Sequence, residues 1–362
     1  MIPDHGAPGH ASRKDEHLNL AVRLHDRDRP NAFDDVSFIH HALPGTSVDS
    51  TDPGTTVFGA RWEAPFYINA MTGGTRATAE INAGLAGAAA DAGVAIACGS
   101  QHIALRDPGR ADGFRIIRRE APQAFVLANV GPTVTPEDAV RAVEMLEANA
   151  LQIHLNVAQE LVMPEGDRDF RDWPERIAAI VAAVPVPVVA KEVGFGLSRH
   201  TMAMLERAGV AAVDVAGAGG TDFIAIENER RPGRDYSYLT GWGQSAVLCL
   251  LDALWGDEPT GLPVFASGGV RTPLDVVRSL ALGARAVGVS GHFLRTLVRN
   301  GPAGLRRELR TWTDHVRTLM TLLGAAEVGQ LRDTDVLVTG ETAERARLLG
   351  IDPAQLAHRS RR

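Results

Sequence analysis

Eight short runs of apolar residues recur at regular intervals along the chain, and each run ends at a small or polar residue. Segments with helix-like patterns separate the runs. A strand followed by a helix, repeated eight times, predicts an α/β protein built as a closed (β/α)8 TIM barrel. Because such barrels form their sites at the carboxyl ends of the strands, every polar run end is a candidate site residue. The runs are FYINA (66–70), VAIAC (94–98), FVLAN (125–129), LQIHL (151–155), VPVVAK (186–191), AAVDVAG (211–217), PVFASGG (263–269) and AVGVSG (286–291).

The pattern divides the 362 residues into one barrel domain with an addition at each end. We expect the barrel over 65–323, an amino-terminal extension over 12–64 and a carboxy-terminal tail over 324–362. Residues 1–11 are rich in Pro, Gly and His, which is typical of disorder. Helices are predicted at 76–92, 107–121, 135–148, 171–183, 198–208, 243–255, 272–282 and 302–323.

Three further segments have local patterns of their own. Capping-box spacing from Ser12 to Asp15 predicts a helix at the start of the extension. Alternating residues over 55–64 predict one strand, which we place across the bottom of the barrel. The charged segment 221–241 is the longest predicted connection, and a connection of that length is typical of a lid or a subunit contact.

Composition and charge exclude several classes of protein. The net charge of −7 argues against a binder of nucleic acid or of an anionic membrane. Cys98 and Cys249 lack metal-ligand spacing and suit a reducing compartment. There is no apolar stretch of membrane-spanning length and no signal-peptide core. We therefore expect a cytoplasmic protein with a small-molecule substrate and neither nucleic acid nor membrane as a partner.

The ends of the seventh and eighth runs predict a phosphate site. Gly268 and Gly269 allow backbone N–H groups to approach an anion closely, and Ser290 and Gly291 complete the cup. In many barrels these two loops and a helix amino terminus hold a phosphate. The alternative is that the glycines only form tight turns. Thr221, after Gly219 and Gly220, faces the same mouth.

The remaining run ends favour a flat ligand such as a flavin. The first three runs end near Ala70–Gly74, Ser100 and Asn129, which supply small and hydrogen-bonding groups. Lys191 ends the fifth run, and three roles compete for it. It can stabilise an anionic reduced flavin, form a Schiff base with a carbonyl substrate, or pair with a carboxylate such as Asp214 or Glu192.

The segment just after the fourth run concentrates polar groups that suit a substrate site. His154, Asn156, Gln159 and Glu160 lie within seven residues. Glu160 can hold Mg²⁺, a hard cation that takes few carboxylates and shares a substrate phosphate. From spacing alone, a helix-start charge explains Glu160 equally well. A hydrogen-bonded core histidine is the alternative for His154.

A second polar cluster lies at the start of the extension. Arg13, Lys14 and His17 share one face of the predicted helix. Basic residues in a first turn oppose the helix dipole, which hints that they serve an anion. A solvated basic face is the alternative.

Together these segments resemble the type 2, FMN-dependent isopentenyl diphosphate isomerase family over about residues 12–300. The fourth-run block and the amino-terminal basic motif are specific, whereas many FMN barrels share the glycine loops. The matching segments are RKDEH (13–17), FDDVSFIHHALP (33–44), INAMTGG (68–74), LQIHLN..QE..MPEGDR (151–168), KEVG.GLSR (191–199), GGTDF..IEN..R (219–230), GWGQS (241–245) and ASGGVR.PLDVVR.LALGARAVG (266–288).

The resemblance implies roles for residues at three parts of the site. Gln159, Lys191 and His154 are the implied catalytic residues, and Glu160 the Mg²⁺ ligand. The implied FMN-binding residues are Met71, Thr72, Gly73, Gly74, Ser100, Asn129, Lys191, Thr221, Gly268, Gly269, Arg271, Ser290 and Gly291. The implied substrate-binding residues are Arg13, Lys14, His17, Ser100, Gln101, His102, His154, Asn156 and Gln159.

The resemblance also implies a reaction. A proton is added to the terminal alkene carbon of isopentenyl diphosphate and another is lost from C2, with reduced FMN and Mg²⁺ present. NADPH is the reductant that primes the flavin, and the family forms tetramers or octamers. His102 and Asp222 depart from the usual arginine and serine or asparagine, which affects the expected diphosphate grip.

Three alternatives stay open. An FMN-dependent 2-hydroxy-acid oxidoreductase fits the same barrel but needs a catalytic histidine, and the loop AGAGGTDF (216–223) has none. A Schiff-base aldolase would use Lys191. A flavin- or phosphometabolite-binding protein without turnover is the third.

Overall fold

The computed structural model describes Leu20 and residues 30–70, 74–256 and 258–361. Leu20, which is helical, belongs to the helix predicted at the start of the extension. Arg13, Lys14 and His17 of that helix lie outside the described residues. Met71, Thr72 and Gly73 of the first strand end also lie outside them.

The extension forms three short strands before the barrel begins: β1 (Val36–Phe38), β2 (Thr55–Val57) and β3 (Ala60–Trp62). β2 and β3 pair as an antiparallel hairpin, so the prediction of one strand over 55–64 was wrong. The turn falls at Phe58 and Gly59, whose φ angles of 49° and 77° are both left-handed. Two successive positive φ values are typical of the tight turn that joins hairpin strands.

Eight parallel strands form a closed barrel, which confirms the predicted fold. Each strand falls within or next to one of the eight apolar runs. The barrel closes where the last strand pairs with the first, with Val287 opposite Phe66. The strands are β4 (Phe66–Ile68), β5 (Ala95–Ala97), β6 (Val126–Val130), β7 (Ala150–Leu155), β8 (Val188–Glu192), β9 (Ala212–Asp214), β10 (Val264–Ser267) and β11 (Ala286–Val289).

Helices surround the barrel. They are α1 (Arg76–Ala92), α2 (His102–Arg106), α3 (Asp112–Glu120), α4 (Pro136–Leu146), α5 (Val157–Val162), α6 (Trp173–Ala183), α7 (Arg199–Arg207), α8 (Phe223–Arg230), α9 (Ala246–Trp255), α10 (Pro273–Ala281) and α11 (Gly291–Leu322). Within the described ranges, no helix combines the length and apolar character needed to cross a bilayer.

Two helical predictions need correction, and a third element has an unpredicted extension. The connection over 221–241 contains α8, because Asp222 caps that helix by accepting a hydrogen bond from the backbone N–H of Ala225. The helix predicted over 107–121 is divided into a 3₁₀ turn at Pro108–Arg110 and α3, and α2 precedes it in a segment where no helix was predicted. α11 consists of two helical segments separated by a kink at Gly301, where φ is 68° and Pro302 follows. The second segment begins where the helix over 302–323 was predicted, and the first segment, from Gly291, was not predicted.

The tail joins the extension on the outside of the barrel. It contributes β12 (Val336–Val338) and α12 (Gly340–Leu348). β12 pairs antiparallel with β1, with Val36 opposite Val338. The side chain of Asp35 accepts hydrogen bonds from the backbone N–H and the hydroxyl of Thr342, at 3.1 and 2.6 Å. Residues far apart in sequence thus form one small sheet.

The barrel interior is apolar at the bottom. Trp62 from the hairpin packs against the rings of Tyr67, Phe125 and Phe265, with ring centroids 5.7, 5.1 and 6.4 Å apart. Its indole N–H is buried without a hydrogen-bond partner among the described residues. The hairpin therefore closes the bottom of the barrel, and the carboxyl ends of the strands form the open face.

We expect Trp62→Ala to destabilise the fold by about 3–5 kcal/mol, since it leaves a cavity among three aromatic rings. Trp62→Phe keeps most of the ring contacts and removes the unpaired N–H, so it should cost less than about 1.5 kcal/mol. The midpoints of urea unfolding, followed by circular dichroism, compare the three proteins. Equal losses in both variants would mean that ring packing does not hold the hairpin in place.

Candidate active site

The predicted site residues on β7, β8 and α5 lie at one face of the barrel. His154 near the end of β7 is the register partner of Lys191 near the end of β8. Glu160 lies in α5, which begins two residues after β7 ends. The carboxyl ends of parallel strands share one face, so all three residues belong to the open mouth.

Lys191 is a buried cation with few partners. It is 6% exposed, and its ammonium donates to the backbone carbonyl of Glu192 at 2.7 Å. The expected alternative of an ion pair with Asp214 or Glu192 is not formed within 4.0 Å. Burial lowers the pKa of Lys191, while the nearby charges of Asp214 and Glu192 act in the opposite direction. Donor capacity therefore remains on Nζ among the described residues.

Composition singles out the same residue. The chain has 37 lysines and arginines, of which only Lys14 and Lys191 are lysines. All the others are arginines. A compact ammonium whose pKa responds to burial differs chemically from a guanidinium, which stays charged and needs space for its planar fork. The rarity of lysine is thus a signal for function that motif spacing alone does not give.

Asp214 lies beside Lys191 in the barrel interior and is fully buried. Its Oδ2 atom accepts hydrogen bonds from Tyr67 and Asn69, at 2.8 and 2.9 Å. Its Oδ1 atom accepts from the Ser267 hydroxyl at 2.7 Å and the Ala216 N–H at 3.1 Å. Four donors satisfy this carboxylate, as a buried charge requires.

Hydrogen bonds between side-chain amides connect Asp214 to His154. Gln152 donates to Asn69 at 3.3 Å, and Asn129 donates to Gln152 at 3.2 Å. His154 Nδ1 lies 2.8 Å from the Asn129 side-chain oxygen. The inward-facing layer near the mouth is therefore polar and internally hydrogen-bonded, in contrast to the aromatic layer below it.

α5 presents the expected polar cluster. Asn156 donates to Glu160 Oε1 at 2.7 Å, and the backbone N–H of Asp167 donates to Glu160 Oε2 at 2.9 Å. Gln159 donates through Nε2 to Glu227 on α8 at 2.8 Å. Glu227 is fully buried and also pairs with Arg230. No cluster of three potential metal-ligating side chains occurs in the described part of the chain.

Glu227 is a candidate site residue that sequence reasoning missed. It belongs to the matched segment GGTDF..IEN..R but received no role. Its partner Gln159 lies 68 positions away, so no spacing rule connects the two residues. Glu192 was also given no site role. Its carboxylate accepts three backbone N–H bonds from residues 193–195, and burial raises its pKa to about 7.

The three predicted site residues that follow β5 differ in burial. Gln101 is fully buried and donates to the carbonyl of Ala142 at 2.9 Å, while its oxygen accepts the N–H of Asn129 at 2.9 Å. Both ends of the Gln101 amide are thus occupied by protein groups, and its expected contact with substrate stays a prediction. Ser100 and His102, on either side, are half-buried at the mouth.

The two loops predicted to bind phosphate follow neighbouring strands, since Ser267 on β10 is the register partner of Gly288 on β11. Gly268 and Gly269 have φ angles of 94° and 76°, and Asn31 donates to the Gly269 carbonyl at 2.9 Å. Gly220 lies against this loop, since a Cβ on it would fall 2.7 Å from the Gly269 nitrogen. α11 begins at Gly291 with no side-chain cap from Ser290. Its first N–H groups therefore remain available to an anion.

The other expected cofactor residues lie around these loops. Thr221 is half-buried just before α8, and Gly74 is buried before α1. Arg271 is held between Asp34 and Asp275, at 2.7 and 3.1 Å, so its charge is already paired. Asn129 keeps one amide hydrogen beyond the bond to Gln152. A buried ammonium, a double-glycine loop and an uncapped helix terminus fit the polar edge and the phosphate of FMN.

Comparisons with known proteins identify the relatives of this chain. The model of the family described as FMN-dependent dehydrogenase matches residues 118–338. An isopentenyl-diphosphate delta-isomerase of Nocardia farcinica is 54% identical, covering 97% of this chain and 96% of the relative. The enzymes of that name from Streptomyces sp. strain CL190 and Listeria welshimeri are 52% and 45% identical, with coverage of at least 96% of each chain.

Solved structures support the fold. A mandelate oxidase variant with a monooxide FMN adduct has a TM-score of 0.59, covering 92% of this chain and 94% of its own. Another variant, with benzoyl-formic acid, has a TM-score of 0.61 and coverage of 89% and 90%. Both are 20% identical to this chain, so the likeness shows the barrel alone.

We expect the Lys191 ammonium to titrate below the ordinary lysine value, because burial disfavours its charged form. With only two lysines, ¹⁵N-lysine labelling of a Lys14→Arg variant leaves Lys191 as the sole Nζ signal. Asp214→Asn should lower the Lys191 pKa further, since it removes a nearby negative charge. A signal that titrates at or above the ordinary value would contradict this description of the site.

Proposed function

The chain belongs to the isopentenyl-diphosphate delta-isomerase family, and from this we infer that it interconverts isopentenyl diphosphate and dimethylallyl diphosphate. The observation that carries the assignment to a site is the convergence of His154, Gln159, Glu160 and Lys191 on one barrel mouth. Identity of 44–54% over nearly the full chain supports the activity.

The enzyme uses FMN, in keeping with the family model that matches 118–338. Lys191 would face the polar edge of the flavin, where its spare N–H groups find acceptors. The loop at Gly268 and Gly269, with the start of α11 at Ser290 and Gly291, would hold the phosphate. When bound and reduced, the flavin supplies an electron-rich surface beside the alkene and a means of proton transfer.

The diphosphate would lie toward β7 and α5. His154 and Asn156 provide hydrogen-bonding groups there, and Glu160 is the proposed Mg²⁺ ligand. Because Mg²⁺ takes few protein carboxylates and shares substrate phosphates, one carboxylate at this position is sufficient. Contacts from Arg13, Lys14 and His17 stay predictions, as do those from Met71, Thr72 and Gly73.

Gln159 is placed to guide proton movement at the hydrocarbon end. Gln159 donates through Nε2 to the buried Glu227, and its oxygen accepts a hydrogen bond from Asn156 at 3.4 Å. In this proposal the oxygen, on the Asn156 side, is the end of the amide that meets substrate. Glu227 is a positioning residue in this proposal: paired with Arg230, it fixes which end of the amide faces substrate. A carbocation-like transition state requires that water be excluded from the site. The half-buried side chains at the mouth would limit its entry.

The 2-hydroxy-acid oxidoreductase alternative has less support. The likeness to mandelate oxidase is 20% in identity and concerns the fold. The loop after β9 lacks the histidine that such chemistry needs. A cytoplasmic location, assembly into a tetramer or octamer and NADPH as the reductant stay predictions.

The deciding experiment is anaerobic. Enzyme with FMN reduced by dithionite, Mg²⁺ and isopentenyl diphosphate should form dimethylallyl diphosphate, detected by proton NMR. Oxidised FMN should give no turnover until a reductant is added. Absence of product with fully reduced FMN, together with flavin reduction by a 2-hydroxy acid, would favour the oxidoreductase alternative.

Lys191→Met should weaken FMN binding by about tenfold or more, because it removes a charged hydrogen-bond donor from a buried edge. Quenching of flavin fluorescence measures the dissociation constant. Glu160→Gln serves as the control and should leave FMN affinity unchanged. Unaltered affinity in the Lys191 variant would remove the lysine from the flavin site.

Glu160→Gln should raise the Mg²⁺ concentration needed for half-maximal turnover by about tenfold or more, since a charged ligand becomes neutral. Glu165→Gln is the matched control, because Glu165 lies in the same segment but pairs with Arg230 at 3.1 Å. Its Mg²⁺ requirement should equal that of the parent enzyme. The same requirement in the Glu160 variant would place the metal elsewhere.

A further inference from the structure

A continuous line of buried side-chain hydrogen bonds crosses the barrel from Asp214 to His154. It runs through Asn69, Gln152 and Asn129, with donor–acceptor distances of 2.9, 3.3, 3.2 and 2.8 Å. Asp214 and Gln152 are 0% exposed, Asn69 is 2% and Asn129 is 3%. Such burial leaves little water to compete for these groups, so each must satisfy its neighbour.

The carboxylate gives this line a direction. Asp214 only accepts, so the amide group of Asn69 must point its NH₂ end at it. The Asn69 oxygen then accepts from the NH₂ of Gln152, and the Gln152 oxygen accepts from the NH₂ of Asn129. The Asn129 oxygen is left facing His154 Nδ1, and an oxygen acceptor requires a proton on that nitrogen.

Two independent contacts support this direction. The backbone N–H of Ala70 donates to the Asn69 side-chain oxygen at 2.8 Å, which opposes a flip of that amide. Tyr67 donates its hydroxyl to Asp214, and burial together with the Asp214 charge raises the Tyr67 pKa well above its ordinary value. The hydroxyl therefore remains a donor, and Asp214 remains surrounded by donors.

We propose that Asp214 is a positioning residue that, through Asn69, Gln152 and Asn129, fixes the neutral imidazole of His154 in the Nδ1–H tautomer. The inference deepens the proposed function, because it rests on His154 as a diphosphate-binding group. Its physical content is that one buried charge sets the orientation of three amides and the position of one proton.

The consequence concerns the other ring nitrogen. With Nδ1–H committed to Asn129, Nε2 carries a lone pair in the neutral ring. A hydrogen bond from Nε2 to a diphosphate oxygen then requires a second proton, so His154 meets the anion as an imidazolium. The glycine at 131 leaves room there, since a Cβ on it would fall 3.3 Å from Nε2.

The test is the tautomer itself, read from the two ring nitrogen signals of ¹⁵N-histidine-labelled enzyme without substrate. Loss of a signal in His154→Gln assigns the residue. In the parent enzyme the Nδ1–H form should dominate. In Asp214→Asn an NH₂ group replaces one acceptor, the line of amides can reverse, and the ratio of Nδ1–H to Nε2–H should fall about tenfold or more.

A matched control and a rescue separate this effect from general damage. Ser267→Ala also removes one hydrogen bond to Asp214 but leaves the amides untouched, so the ratio should not change. Adding Gln152→Glu to Asp214→Asn places an acceptor-only group next to Asn129 and should restore the Nδ1–H form.

If Asp214→Asn does not fold, Gln152→Met breaks the same line at its centre and should lower the ratio. An Nε2–H tautomer in the parent enzyme would overturn the inference, as would a ratio unchanged in the broken-line variants. The tautomer measurement needs neither FMN nor turnover. Failure of the isomerase assay would therefore contradict the proposed function without deciding the tautomer of His154.

Discussion

The buried carboxylate of Asp214 is the constraint on which the mouth of the barrel depends. Closing eight strands forces inward-facing residues of neighbouring strands into shared layers, with no water to solvate an isolated charge. Asp214 therefore needs donors, and it takes them from Ala216 just after β9 and from the chain around β4 and β10. The same charge lies beside Lys191, where it offsets part of the cost of burying an ammonium.

The barrel separates stability from chemistry along its axis. At the bottom, the hairpin inserts Trp62 among aromatic rings, which contributes apolar burial. At the mouth, amides and charges replace the rings, and hydrogen bonds determine their orientation. A site on rigid strand ends has well-defined geometry because the layer below it is closely packed.

Much of the fold follows from sequence, because strand runs in a closed parallel barrel are short, apolar and evenly spaced. All eight strands fall at the predicted runs, and Lys191 and Glu160 lie at the predicted face. The local sequence pattern mispredicts segments whose structure depends on a turn or on a capping hydrogen bond. The break in 55–64 depends on two left-handed residues, and α8 depends on a cap at Asp222 within a segment whose charge resembles a loop.

The hydrogen-bonded groups of the site were harder to predict than its strand ends. Glu227 meets Gln159, and Asn69 meets Asp214, across 68 and 145 positions, and only the closed barrel makes these pairs neighbours. Composition did contain one further signal: in a chain that otherwise uses arginine, the two lysines fall at 14 and 191.

The central claim is that the open face of the barrel binds a flavin through Lys191 and a metal-bound diphosphate through His154 and Glu160. The most direct test is a crystal structure of the reduced enzyme with FMN, Mg²⁺ and isopentenyl diphosphate. The account predicts Lys191 Nζ within hydrogen-bond distance of the flavin ring, with Mg²⁺ between Glu160 and the diphosphate. A diphosphate bound away from β7 and α5, or a flavin out of reach of Lys191, would contradict it.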